Sequence, residues 1–255
     1  MGLVEGKRAA IFGVANRRSI AWAIAQSLSR EGASLALMYE GPRIERMVRE
    51  CADQIPGTEM IQVNVQDEAQ IEAAYKRLDE MWGRVDIVVH SIAFAPAEEL
   101  KGRFIETSQD GFKKALDISA YSLIPVTRNA IPLMKDGGSV ITMTYIASQR
   151  VFPSYNVMGV AKAALESIVR YLAADLGETN IRVNAISAGP IPTLAAKGVS
   201  GFTGFARTFV EHAPLHRQMT AAEVGDTAVY LASDLSRAVT GDILYVDQGY
   251  HVLGI

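Results

Sequence analysis

The sequence predicts an α/β protein built on one doubly wound parallel sheet of about seven strands, with helices on both faces. Two observations carry this. Short runs rich in β-branched residues are apolar on both alternations, which suits strands covered on both sides. Between them lie amphipathic segments of helical length, joined by links short enough for right-handed strand-helix-strand crossovers.

The strands are expected at Arg8 to Gly13, Ser34 to Tyr39, Met60 to Val65, Asp86 to Ser91, Ser139 to Thr144, Arg182 to Ser187 and Ile243 to Asp247. The first helix is expected from Ser19 to Arg30, with Ile20, Ile24 and Leu28 on one stripe and Ser19 as its N-cap. Further helices are expected at Asp67 to Trp82, Gly111 to Met134, Tyr155 to Leu176 and Ala221 to Ser233, with Gly83, Gly137 and Gly177 where helices should stop. With no internal repeat or low-complexity linker, residues 1–255 read as a single domain. The stretch from Ile191 to Leu215, rich in Gly and small residues, interrupts the rhythm and is expected to form a mobile lid over a pocket.

Composition narrows the function classes. The 255 residues are 49% apolar, with 25 Lys plus Arg against 28 Asp plus Glu and a net charge of −3. Such a chain buries roughly 70–75% of its unfolded surface and needs no staple; the single Cys51 cannot form an internal bridge. Near-balanced charge without a long Lys/Arg run argues against nucleic acid or a membrane surface as partner. The opening Met-Gly-Leu-Val-Glu-Gly-Lys lacks a secretion-signal layout, so a cytoplasmic location is expected. The four His and one Cys show no metal spacing, and no Gly-x-Ser-x-Gly elbow supports a serine hydrolase.

Ligands of doubly wound sheets bind outside the carboxyl ends of the strands. After the first strand comes Gly13-Val14-Ala15-Asn16-Arg17-Arg18-Ser19-Ile20-Ala21, where a pyrophosphate would meet a helix N-terminus. Only one glycine of the Gly-x-Gly-x-x-Gly pattern remains, so a plain strand-to-helix turn stays open as the alternative. Glu40 ends the second strand, where an acidic residue accepts hydrogen bonds from a ribose 2′-hydroxyl and repels a 2′-phosphate. That charge favours NAD(H) over NADP(H), although Arg43 and Arg46 stand near enough to answer a phosphate.

Tyr145 ends the fifth strand, and Tyr155 and Lys162 open the next helix, nearly two turns apart on one face. A Lys there can hold ribose hydroxyls and lower the pKa of a neighbouring phenol, making it a better proton donor. His90, inside a strand end, reads as structural rather than as an acid or base.

These residues carry a family resemblance. The chain resembles the NADH-dependent enoyl-acyl-carrier-protein reductases of bacterial fatty-acid synthesis, a divergent branch of the short-chain dehydrogenase/reductases with a Rossmann-type fold, from Gly6 to about Gly249. Its carriers are the Gly13 to Ala21 turn, His90-Ser91-Ile92-Ala93-Phe94-Ala95, Tyr145, Tyr155-Asn156-Val157-Met158-Gly159-Val160-Ala161-Lys162, and the run Arg182 to Ala195. The wider superfamily pairs Tyr-x-x-x-Lys; here Gly159 stands at that Lys position and the spacing is Tyr-x6-Lys. In ketone reduction the oxygen needing a proton lies about 1.2 Å from the carbon receiving hydride. In an enoyl thioester, hydride enters at C3 while charge appears on the oxygen attached to C1, so the donor must stand further off.

The resemblance implies reduction of the C2–C3 double bond of a trans-2-enoyl thioester on acyl carrier protein, in the last reductive step of each elongation cycle. Tyr155 would hydrogen-bond the thioester carbonyl, Lys162 the nicotinamide ribose, and Tyr145 would either assist protonation or shape the acyl pocket. Gly13, Ser19 and Ile20 would meet the pyrophosphate side, Asn64 and Val65 the adenine, and Ser91 and Ile92 the ribose or nicotinamide region. Ile191, Pro192, Thr193, Leu194 and Ala195 would meet the carboxamide and phosphates, and substrate contacts begin at Ala95. Asn64 departs from the family's frequent Asp, and Glu40 from its Gln or basic residue, which strengthens the NADH reading. Phe202, Phe205 and Phe209 of the lid would close over the acyl chain. A homotetramer is implied, with Ile243 to Ile255 and the two middle helices as candidate interface. The rivals are a carbonyl reductase of the parent superfamily, against which the displaced Lys argues, and a non-catalytic NAD(H)-binding regulator, against which the intact Tyr145, Tyr155 and Lys162 argue.

Overall fold

A computed structural model of the chain describes residues 2–193 and 202–254, with Phe202 and Thr203 as backbone only. Seven strands form its sheet: β1 (Arg8–Phe12), β2 (Ser34–Tyr39), β3 (Glu59–Gln62), β4 (Ile87–His90), β5 (Gly138–Thr144), β6 (Ile181–Ala188) and β7 (Ile243–Val246). Their order is β3-β2-β1-β4-β5-β6-β7, and every neighbouring pair is parallel. The order reverses between β1 and β4, where Phe12 stands opposite His90. This is the crevice where an open α/β sheet takes its ligand.

Alternate strand residues feed opposite layers. On one face Ile11, Leu37, Val89, Ile141 and Ile186 meet α1 (Ile20–Arg30), α2 (Pro42–Ala52) and α8 (Ala221–Ala232) through Trp22, Leu28, Val48 and Val224. On the other, Phe12, Met38, Val88, Val140 and Ala185 meet α3 (Glu68–Trp82), α5 (Leu123–Ala130) and α6 (Val157–Leu176) through Ile71, Leu78, Val126, Leu165 and Val169. Burial on both sides is why the strands read as continuous apolar runs. Each fully buried Leu or Ile contributes about 1.5–3 kcal/mol relative to exposure.

Local chemistry sets the helix ends. Ser19 caps α1 by accepting from the Trp22 amide, and Asp67 caps α3 by accepting from Ala69 and Gln70. Gly83 closes α3 at φ 66°.

Two expectations need correcting. The eleven-residue helix α2 was not anticipated; Pro42 opens it, and the pairs Glu45–Arg49 and Arg46–Glu50 line its outer side. The single helix expected from Gly111 to Met134 is three pieces: α4 (Gln109–Leu116), a π turn at Asp117–Tyr121, and α5, followed by a 3₁₀ turn at Ile131–Leu133. Pro125 has no amide to return to the Tyr121 carbonyl, and Ser122 instead donates back to Asp117 across the widened turn. Within the segment read as a loose lid, residues Phe202–His212 form a helix, α7, while residues 194–201 lie outside the described ones.

Candidate active site

The carboxyl ends of β1, β2 and β4 form one half of the site. Gly13 leaves β1 at φ 95°, a left-handed conformation that L side chains rarely adopt. A Cβ there would collide with the Ser91 carbonyl oxygen and lie 3.5 Å from Ile92 Cγ1. Gly13, Ser91 and Ile92 are therefore packed together at the switch point, leaving backbone where a ligand would approach. Ser19 and Ile20 open α1 beside them. Glu40 is exposed just past β2, while Arg46 is turned to Glu50 at 3.2 Å along α2. Past β3, Asn64 Oδ1 accepts from the Gln66 amide at 3.1 Å, so its NH2 side is what it offers a ligand; Val65 packs on the core below.

The other half is aromatic. Tyr145 directly follows β5, and its ring lies 5.1 Å from that of Tyr155 and 5.3 Å from Phe152. Phe205 of α7 stands edge-on to Tyr145, Phe152 and Tyr250, and Phe209 packs on Tyr250. The described part of α7 thus rests on the Tyr145 side of the site. Phe152 and Tyr250 were not singled out in the sequence; nothing in their local pattern marks them, and only the fold gathers them. Ile191 is buried in the core, Pro192 is exposed, and the Thr193 amide donates to the Ile191 carbonyl at 2.7 Å. Leu194, Ala195 and the Phe202 side chain lie outside the described residues. Ala95 is half-buried just after Phe94, whose amide and carbonyl are both held by Ser119.

Tyr155 is not on the helix face expected of it. Helix α6 starts at Val157, and Tyr155 sits in the preceding turn between Ser154 (φ 63°) and Asn156 (φ 39°). Two non-glycine residues in left-handed backbone cost of order 1–3 kcal/mol each, a strain that concentrates at functional sites. The electrostatic expectation also changes. Burial pushes the Tyr155 phenol above its ordinary range, with no compensating effect from Lys162. Burial likewise raises the Tyr145 phenol, reinforced by Tyr155, Tyr250 and Asp247. Both phenols are neutral donors at physiological pH. The Lys162 ammonium, 4% exposed, donates to the Met143 carbonyl at 2.7 Å. Burial lowers its pKa to about 8, against the raising effect of Glu166.

Gly159, at the superfamily's Lys position counted from Tyr155, has no room for a side chain: its Cβ would stand 2.8 Å from the Ala147 carbonyl oxygen. His90 is wholly buried, with Nδ1 2.9 Å from Thr142 Oγ1 and Nε2 2.8 Å from Ser122 Oγ. Burial, then the Lys162 charge, lower its pKa to about 3, so it is neutral and structural. Among the described residues no group of His, Cys, Asp and Glu could hold a metal, and no helix is long and apolar enough to cross a membrane.

A family model described as enoyl-(acyl carrier protein) reductase matches residues 13–251. The chain belongs to the enoyl-acyl-carrier-protein reductase family. It is 52% identical to the NADH enoyl-[acyl-carrier-protein] reductase FabI of Bacillus cereus, covering 100% of both chains. It is 51% identical to the FabI of Aquifex aeolicus, covering 100% of this chain and 95% of that one. The crystal structure of the Bacillus cereus reductase with NADP+ and indole naphthyridinone superposes with a TM-score of 0.98, at 51% identity and complete coverage of both chains. The reductase of Anaplasma phagocytophilum in complex with NAD gives 0.96, at 44% identity, covering 100% of this chain and 97% of that one. The crevice around Gly13, Ser91 and Ile92 has the form that suits a dinucleotide: bare backbone at the switch point beside a capped helix N-terminus.

Proposed function

We infer that the protein is an NADH-dependent enoyl-acyl-carrier-protein reductase, saturating the C2–C3 double bond of trans-2-enoyl thioesters in fatty-acid synthesis. NADH, when bound, supplies the hydride that enters C3. The charge then appears on the thioester oxygen, and a neutral phenol within reach stabilises it by donating a hydrogen bond in a site poor in water. Tyr155 is that donor. Tyr145, tilted against it, walls the acyl pocket together with Phe205. Lys162 holds the nicotinamide ribose with the donors left after its bond to Met143. Gly13, Ser19, Ile20, Ser91 and Ile92 hold the pyrophosphate and adjoining ribose, Glu40 the adenosine ribose, and Asn64 and Val65 the adenine. Ile191, Pro192, Thr193, Leu194 and Ala195 border the carboxamide, and the stretch 191–215 covers the substrate.

The observation that carries the residue roles is the contact of two neutral phenols, 5.1 Å ring to ring, between the end of β5 and the start of α6, with the buried Lys162 ammonium of that helix bonded to Met143 of that strand. The substrate is carried by acyl carrier protein. The enzyme is cytoplasmic and a homotetramer. A second copy is supported by the open edge of the sheet at β7, whose four residues are only half-buried, and by Val252 just past it, 67% exposed. Incubation with NADH and a crotonyl thioester, then with a β-ketoacyl thioester, tests the assignment: NADH consumption only with the ketone overturns it. Sedimentation tests the assembly, and a monomer overturns that part.

A further inference from the structure

Glu166 stands one helical turn beyond Lys162 on α6 and is as deeply buried, 5% exposed. The two side chains reach successive residues of β5. Lys162 donates to the Met143 carbonyl, while Glu166 accepts from Thr144 Oγ1 at 2.7 Å. Thr144 is the last residue of β5, and Tyr145 follows it. A carboxylate in the core is costly unless it meets an opposite charge or donors. Here it has one donor, from the last residue of β5, and the ammonium one turn back on its own helix acts on it through space rather than as a contact ion pair.

We propose that Glu166 is a positioning residue for the reduction: it ties the end of β5 to α6, and its charge keeps the Lys162 side chain an ammonium aimed at the cofactor ribose. The proposal rests on the assignment of Lys162 to that ribose. The groups facing this pair come from every neighbouring element. From β4 there is His90, which stays neutral and so adds no charge. From β7 and its neighbours there are Tyr245, whose phenol burial raises and to which Glu166 and Asp247 add, and Arg150, which acts on that phenol the other way; neither Asp247 nor Arg150 is among the charges acting on Lys162. Tyr145 and Tyr155, beyond the end of β5 and ahead of α6, are neutral. Glu166 is therefore the carboxylate that opposes the loss of the Lys162 proton, and that pKa, already lowered to about 8 by burial, falls further without it.

The test is NADH binding, followed by nicotinamide fluorescence from about pH 6 to about pH 9. E166Q keeps the shape and an oxygen for Thr144 but removes the charge. Wild type and E166Q are expected to bind alike at the acid end. The alkaline loss of affinity in E166Q should begin about one pH unit earlier, giving roughly fivefold weaker binding near pH 8 and approaching roughly tenfold near pH 9. K162M should bind weakly with no alkaline limb. Equal thermal midpoints for wild type and E166Q exclude a folding defect; if E166Q is unstable, E166D, which keeps the charge, should restore the wild-type limb. Coincident limbs for wild type and E166Q, or an alkaline limb that survives in K162M, overturn the proposal. The measurement needs no acyl substrate. Inactivity toward enoyl thioesters with the expected binding profiles would sink the substrate assignment and leave this inference standing.

Discussion

Tyr145 and Tyr155 meet where β5 ends and α6 is about to begin, ring centroids 5.1 Å apart and planes inclined at 58°. Tilted aromatic pairs of this kind contribute about 0.5–1.5 kcal/mol beyond the area they bury. Their phenols are both raised, Tyr155 by burial alone and Tyr145 by burial and the charges around it. The site thus offers two O–H donors and no phenolate, which suits a reaction that builds negative charge on a substrate oxygen.

The donors are not equivalent, and Tyr155→Phe separates them. The benzene ring preserves the contact with Tyr145, so the thermal midpoint should hold. Loss of one preorganised donor to a developing oxyanion costs about 10²–10³-fold in kcat. NADH affinity should barely change. Steady-state kinetics with a crotonyl thioester and a fluorescence titration check both halves, and undiminished turnover would pass the donor role to Tyr145.

Gly13→Ala should damage stability and cofactor binding together. The φ of 95° is unfavourable for any L residue, and the new methyl group meets the carbonyl of Ser91, which directly follows β4 and is held by its own amide to the Phe12 carbonyl at 3.1 Å. Backbone strain and overpacking each cost about 1–3 kcal/mol. Urea melts should show a loss of about that combined size, with weaker NADH binding because the same displacement opens the crevice. An unaltered midpoint would mean that the β1 and β4 ends are not packed as described.

Elements whose information is local were legible before the structure. The seven strands and the Ser19 cap follow from patterns within a few residues, and the Gly13 turn follows from placement after β1. Helix α2 was missed because its stripe has few apolar members, chiefly Ile44 and Val48, among many charges. The break at Asp117–Tyr121 was missed because a continuous apolar stripe runs through it while Pro125 acts one turn upstream. The aromatic wall was illegible for a different reason. Phe152 and Tyr250 are far apart in the chain and meet the expected Phe205 only after β5, β7 and α7 are in place. Tyr155 was assigned to a helix face because its spacing from Lys162 fits one, whereas the Ser154 and Asn156 backbones turn it off the helix.

Glu40→Gln should loosen the choice of dinucleotide. The carboxylate is exposed past the end of β2, and Arg46 is occupied by Glu50, leaving the acidic charge to face the adenosine ribose. Repulsion between a carboxylate and a 2′-phosphate a few ångströms apart in a half-solvated site is about 1–2 kcal/mol, roughly tenfold in selectivity. The ratio of kcat/KM for NADH to that for NADPH should fall by about that factor. A ratio that does not move would shift the discrimination to Arg43 or to the ribose contacts.

His90 predicts how the fold responds to acid. Nε2 stands 2.8 Å from Ser122 Oγ and Nδ1 2.9 Å from Thr142 Oγ1, and these hydroxyls also reach the Ile118 and His90 carbonyls, so both nitrogens of the neutral ring have a hydroxyl partner. Its folded-state pKa of about 3 lies below the ordinary 6.5. Between these values the unfolded chain holds a proton that the native one refuses, so stability rises with pH across the window. The His90 contribution is complete above about pH 6.5 and is lost as the pH falls toward 3. Over two pH units inside the window that is roughly 2–3 kcal/mol. Urea melts at about pH 6.5 and about pH 4.5 should show wild type losing that much more than His90→Asn, whatever the variant's absolute stability. The same burial requires that no histidine limb from His90 appear in the pH–rate profile between about pH 5 and 7. A limb there that vanishes in His90→Asn would show that the ring takes a proton in the working enzyme, and would end its assignment as a structural residue.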